Sequence, residues 1–176
     1  VYGDQRCLRE GIIPFDLVLS RSDFRRELIG TRPRHGIFTH ITGVDLLRGE
    51  SGEFLVLEDN CRNPSGVSYV LENRNLLSRV FPEIFAKYGV RPVDLYPPML
   101  LDALKFAAPR GRARPSVAVL TPGLDNCAYF EHSFLAREMG VPLVEGRDLI
   151  VKNDQLSMRT TRGRQRVDVL YRRIDD

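Results

Sequence analysis

The chain has 176 residues, 43% of them hydrophobic and 28% charged, and a formal net charge of +3. That length can bury a core in one domain or two small ones, and the charge is too weak to argue for nucleic-acid binding by itself. No apolar run approaches a membrane span, and the first residues do not read as a signal peptide. Cys7, Cys61 and Cys127 are widely spaced with no CxxC pair, which argues against zinc and a disulfide framework and for a reducing, cytoplasmic setting.

Taken in chain order, Asp4 is placed to cap a short helix ending near Glu10, and Gly11 to Pro14 breaks it. SRSDFRREL, residues 20–28, carries Phe24 and Leu28 at i, i+4 behind a serine cap and predicts a helix. GTRPRHG is loop. Residues 37–48 and 53–60 predict a β-hairpin around a GESG turn, with His40 inside its first strand as a half-buried, hydrogen-bonded histidine. Residues 67–88 are helical in period, and Pro82 splits or kinks that stretch before Gly89 stops it. RPVDLYPP is a stiff connector, and Met99 to Ala108 is a short apolar helix. PRGRARP, residues 109–115, reads as a linker.

Beyond residue 115 the pattern changes to a βαβ unit. It has a buried-type strand at 117–120, a TPG turn, a helix from Tyr129 to Met139 stopped by Gly140, and a strand at 143–145, which predicts a parallel sheet. A hairpin at 149–159 with a KND turn and a strand at 167–171 follow. The run Arg172 to Asp176 comes directly after that strand, without the helix that would cover a sheet face, so a piece of a longer protein is expected.

The hairpin end carries the chemistry. Glu58 and Asn60 share strand parity, and Asp45 falls on the neighbouring strand, about 5 Å away if the two pair. Two carboxylates and an amide oxygen form a hard-oxygen donor set suited to Mg²⁺. The alternative is an ordinary strand exit, since Asp and Asn favour turns. Arg62, Asn63 and Ser65 follow at once, either as a solvated loop or, beside a metal and phosphates, with Arg62 placed to neutralise developing charge.

Other candidates are weaker. The TPG turn with Asn126 reads as a plain βα turn rather than an anion cradle. Glu131 is expected to serve the helix N-terminus electrostatically, while His132 stays open between surface residue and substrate contact or acid/base. Arg159, Arg162, Arg164 and Arg166 form a basic strip around a turn, most simply a solvated face. Arg173 and Asp175 lie at a strand end, where open α/β sheets bind ligands. Only three of the 26 basic residues are lysines, Lys87, Lys105 and Lys152. The arginine excess reads first as codon bias and second as repeated capture of carboxylate or phosphate.

Long segments of the chain resemble one family. THITGVDLLR, VLEDNCRNPSGVSYVLENR, LTPGLDNCAYFEHSFLAREMGVPLVEGRDLIV, MRTTRG and VDVLYRRIDD are similar to the circularly permuted ATP-grasp proteins of type 2, relatives of glutathionylspermidine synthetase. The resemblance implies an ATP-dependent carboxylate–amine or carboxylate–thiol ligase that works through an acyl phosphate, with ATP and Mg²⁺ as cofactors. It implies Asp45, Glu58 and Asn60 as metal ligands, Arg62 as a catalytic residue, and Arg62, Ser65 and Gly66 as substrate or phosphate contacts.

It also implies an α/β (α+β) fold, with an antiparallel, metal-bearing ATP-grasp part at 1–108 and a partial Rossmann-like pre-ATP-grasp domain at 116–176. In the permuted order the nucleotide-binding lysines lie downstream, so the chain alone is expected to be inactive. Expected partners are small-molecule or peptide carboxylate and amine substrates, and an alpha-E-type or transglutaminase-like protein, with no nucleic acid and no membrane. The competing readings are a non-catalytic ATP-grasp-like module that binds a peptide or partner protein, and RNA binding through the arginines. The latter lacks an aromatic stacking platform.

Overall fold

A computed structural model describes residues 1–174. The chain divides into two compact units, Val1–Phe38 and Thr39–Asp176, so the linker expected at 109–115 falls inside the second.

The first unit holds two short helices, α1 (Arg6–Arg9) and α2 (Phe15–Leu19), and single 3₁₀ turns at Arg26–Leu28 and Arg34–Gly36. The Asp4 carboxylate accepts the Arg6 N–H at 3.2 Å. The helix expected at 20–28 is not there. Pro14 starts α2 early, and the Ser20 hydroxyl turns back to the Asp16 carbonyl where α2 ends, the local competition that makes serine a poor helix-interior residue. Tyr2 then stacks on Phe24 with centroids 5.3 Å apart, and its hydroxyl accepts the Arg25 N–H at 3.1 Å. Arg25 is thereby held extended.

The second unit begins with the hairpin β1 (Gly43–Arg48) and β2 (Phe54–Asn60), an isolated antiparallel pair. Its first strand starts six residues later than expected because β2 ends opposite Gly43. His40 therefore lies outside the strand and is exposed. Helices α3 (Val67–Val80) and α4 (Pro82–Tyr88) meet at Pro82, as the sequence predicts, and left-handed Gly89 ends α4. Helix α5 runs Tyr96–Phe106. It starts earlier than expected because Pro97 and Pro98 sit in its first turn, where no N–H is needed.

The core is built on β3 (Val117–Leu120), which lies between β4 (Leu143–Val144) and β8 (Val169–Arg172), parallel to both. Every residue of β3 is buried. Val117 and Val119 join Leu71, Leu100, Leu104 and Phe134 from α3, α5 and α6 (Tyr129–Met139). Ala118 and Leu120 face the other way, onto Met158 and Val167. Strand alternation thus feeds two cores from one four-residue run.

Met158 belongs to an antiparallel sheet of β5 (Leu149–Lys152), β6 (Gln155–Thr160) and β7 (Gly163–Arg166). The β5–β6 turn uses left-handed Asn153 and Asp154, as a tight hairpin requires. Strand β7 falls in the stretch read as a solvated arginine strip; its residues are exposed but paired, with Arg164 opposite Arg159.

The segment before β3 is pinned. The Asp168 carboxylate accepts the Ser116 N–H at 3.0 Å and lies 3.3 Å from Arg112 and 2.9 Å from Arg166. The Ser116 N–H, above all, holds this carboxyl below its ordinary value; the Ser116 hydroxyl and the two arginines add to the effect.

Candidate functional site

The pairing of β1 with β2 sets the site. Asp45 lies opposite Glu58 and Gly43 opposite Asn60, yet Leu46 lies opposite Val56. Leu57 is therefore an extra residue, a β-bulge of the kind that re-aims side chains. In an unbroken strand Glu58 would share a face with Val56. The bulge instead puts Glu58 and Asn60 with Asp45, while Val56 and Phe54 take the other face with Leu46 and Arg48. The Arg48 guanidinium lies 5.9 Å from the centre of the Phe54 ring on that side.

The three oxygen-bearing side chains converge. The Asn60 Nδ2 donates to Asp45 Oδ2 at 3.3 Å and to Glu58 Oε1 at 3.5 Å. The amide thus spans two carboxylates that would otherwise repel, and half a turn about its last bond would present Oδ1 instead. All three residues are exposed. Two carboxylates and one amide fit a hard, oxygen-seeking cation such as Mg²⁺ rather than a thiolate- or imidazole-seeking one. Among the described residues no group of three or more His, Cys, Asp or Glu is arranged to hold a metal.

The loop Cys61–Gly66 closes one side. It and the strand ends line an open cleft of about 410 Å³ that includes Asp45, Asn60, Arg62, Asn63 and Ser65. Arg62 also lines a smaller adjoining cleft with Arg172. The loop approaches β1 so closely that a Cβ on Gly43 would lie 2.7 Å from the Pro64 Cβ, so glycine is required there. Gly66 is left-handed, with φ +108°. Its N–H donates to Glu131 Oε2 at 2.6 Å, which engages the group proposed for phosphate or substrate contact.

Glu131 lies in the first turn of α6, as the sequence expects, and both it and His132 are buried, at 1% and 2% exposed, which removes the surface alternative for His132. The Glu131 Oε2 also accepts the Ser68 N–H at 3.2 Å and the Ser68 hydroxyl at 3.0 Å, and its Oε1 accepts from Arg173 Nη2 at 2.8 Å. Arg173 Nη1 donates to the Pro64 carbonyl at 2.6 Å and to the Tyr171 hydroxyl at 3.2 Å. Burial pushes the Tyr171 phenol above its ordinary value, against the opposing pull of Arg173. Asn63 Nδ2 donates to the Ile174 carbonyl at 2.8 Å.

His132 Nδ1 lies 2.9 Å from Thr121 Oγ1, which accepts the Gly123 N–H at 3.3 Å, so the TPG turn is a locally satisfied βα turn. Asp175, the other strand-end candidate, lies outside the described residues. The sequence signal for the buried pair was an acidic residue in the first turn of an otherwise core-facing helix, two positions after Tyr129.

The family model Circularly permuted ATP-grasp type 2 matches residues 1–176. The chain is 55% identical over its full length to an uncharacterised protein of Synechocystis sp., covering 37% of it. It is 56% identical to an uncharacterised protein of Mycobacterium tuberculosis, covering 32%. A Frankia alni protein named "Putative glutamate--cysteine ligase 2-3" is 46% identical over 179 residues, 20% of its length. The chain therefore spans between a fifth and just over a third of these relatives, and it belongs to the circularly permuted ATP-grasp type 2 family.

Proposed function

We propose that this chain is the cation-holding part of an ATP-dependent ligase that joins a carboxylate to an amine or thiol. Family membership and the ligase name of the Frankia relative support that class. The observation that carries it is the Asn60 amide spanning Asp45 and Glu58. These three residues would hold Mg²⁺, which would supply positive charge to offset that of nucleotide phosphates.

The chain's own contribution is positional and electrostatic. Asp45 and Glu58 supply two negative charges on one hairpin face, and Asn60 keeps them from splaying. Arg62 and Ser65, which line a cleft with Asp45 and Asn60, would meet an anionic group of nucleotide or substrate. Residues 116–176 serve as the start of a Rossmann-like pre-ATP-grasp part, and the exposed hairpin continues into a larger sheet in the whole protein. A cytoplasmic protein acting on small or peptide-like acids and amines, with an alpha-E-type or transglutaminase-like protein beside it, fits this reading. Among the described residues no helix is long and apolar enough to cross a membrane.

In the full-length protein, Glu58→Gln removes a charge at almost constant volume. ATP turnover falls by about a hundredfold or more, with the far-UV circular dichroism unchanged. Unchanged turnover overturns the assignment. Titrating the 176-residue chain with ATP and Mg²⁺ in a calorimeter yields weak heat or none. Binding at about 1 µM would show that the chain already holds a complete nucleotide site.

A further inference from the structure

We propose that the buried Glu131–Arg173 pair is a positioning device for the cation-holding loop; this rests on the reading of Asp45, Glu58 and Asn60 given above. Both side chains are 2% exposed. Their bonds go to the loop and to the start of α3: Glu131 takes the N–H groups of Gly66 and Ser68 and the Ser68 hydroxyl, and Arg173 takes the Pro64 carbonyl. Pro64 in turn packs against Gly43, the residue paired with Asn60. A chain of direct contacts therefore runs from α6 and β8 through Pro64 to the strand end that carries Asn60.

Stability alone is a poor reason for this pair. Buried ion pairs can often be replaced by apolar side chains of similar size without loss. Arg173 also leaves its buried Nε without a hydrogen-bond partner among the described residues, a cost that an apolar replacement would not carry. What an apolar pair could not do is fix one N–H and one carbonyl of a six-residue loop together with the first turn of α3 that follows it. Asn63 adds a separate tie from the loop to the Ile174 carbonyl.

The test uses the full-length protein and Mn²⁺ with a non-hydrolysable ATP analogue, read by the Mn²⁺ electron paramagnetic resonance signal. Three variants are compared: Asp45→Asn, Glu131→Gln and Met139→Ala. Met139 is a buried residue of the same helix and serves as a control for general destabilisation. The expected result is that Asp45→Asn loses Mn²⁺ binding and Glu131→Gln weakens it about tenfold. Met139→Ala binds Mn²⁺ as the wild type does, although its melting temperature falls.

Hydrogen exchange is measured in parallel. It should speed up at residues 61–68 in Glu131→Gln and not in Met139→Ala. If Glu131→Gln binds Mn²⁺ like the wild type, or leaves exchange at 61–68 unchanged, the positioning role is overturned while the cation site stands. If Met139→Ala weakens Mn²⁺ as much as Glu131→Gln, the effect is general destabilisation and the role is again overturned. If Asp45→Asn binds Mn²⁺ unchanged, the cation site itself fails and the positioning role fails with it.

Discussion

Strands β2 and β3 are both apolar runs, yet every residue of β2 is exposed and every residue of β3 is buried. Phe54 and Leu57 of β2 are 68% and 65% exposed, whereas Ala118 and Val119 of β3 are at 0%. A strand buried on both faces, between parallel neighbours, needs no polar alternation, and VAVL has none. An isolated two-stranded hairpin is marginal in water, and this one ends in the acidic and amide residues that form the candidate site. Packing and the candidate site are therefore separated in the chain: β3 organises the packing, and β2 carries Glu58 and Asn60. They are joined through the loop Cys61–Gly66 and the buried Glu131–Arg173 pair.

The largest effect that could break this contrast lies at the joint. Arg173→Ala leaves Glu131 buried without its cation and costs about 3–5 kcal/mol, read as a lower denaturation midpoint. A loss below about 1 kcal/mol would mean the pair behaves as a surface one. Next come matched truncations on the two sides. Leu135→Ala, at 1% exposed, costs about 2–5 kcal/mol, whereas Leu57→Ala in this chain stays within about 0.5 kcal/mol. Equal costs in urea titrations would erase the distinction between the regions.

Gly43→Ala sharpens the comparison from the hairpin side. It forces Pro64 away and costs about 1–3 kcal/mol by overpacking, while weakening Mn²⁺ binding in the full-length protein. Full Mn²⁺ affinity in that variant would show that the hairpin end tolerates displacement of its loop.

The smallest effect is acid sensitivity on the buried side. Because the folded Asp168 carboxyl lies below its ordinary value, its contribution is fully present above the unfolded pKa near 4. It is lost as pH falls through the lowered folded value. Asp168→Asn is thus less stable than wild type at pH 6, and the gap narrows as pH drops below about 4. A constant gap across that range would assign the effect to packing instead.

Much of this was legible in the sequence where a local rule decides the outcome. The GESG turn, the break at Pro82, the βαβ run from Val117 to Val144 and the shared face of Glu58 and Asn60 all follow from turn chemistry and periodicity. Other features depend on partners far along the chain. The helix over residues 20–28 lost to Tyr2, which holds Arg25 extended. Strand β7 is visible only through its pairing with β6, because its own side chains are all polar or glycine. The Leu57 bulge has no composition signal, yet it separates Glu58 and Asn60 from Val56. Glu131 looked like an ordinary first-turn acid, because its cation, Arg173, lies 42 residues away.

That separation along the chain has a consequence for the order of assembly. The Pro64 carbonyl waits for an arginine 109 residues later, and Asn63 for a carbonyl 111 residues later. Contacts of such long range form only after the loop-closure entropy between them has been overcome. During synthesis the hairpin can pair as soon as Asn60 emerges, but its neighbouring loop gains these anchors only after β8 has been made and docked against β3. The end of the hairpin that carries Asp45, Glu58 and Asn60 therefore gains its rigid surroundings only after residues more than a hundred positions downstream have been made.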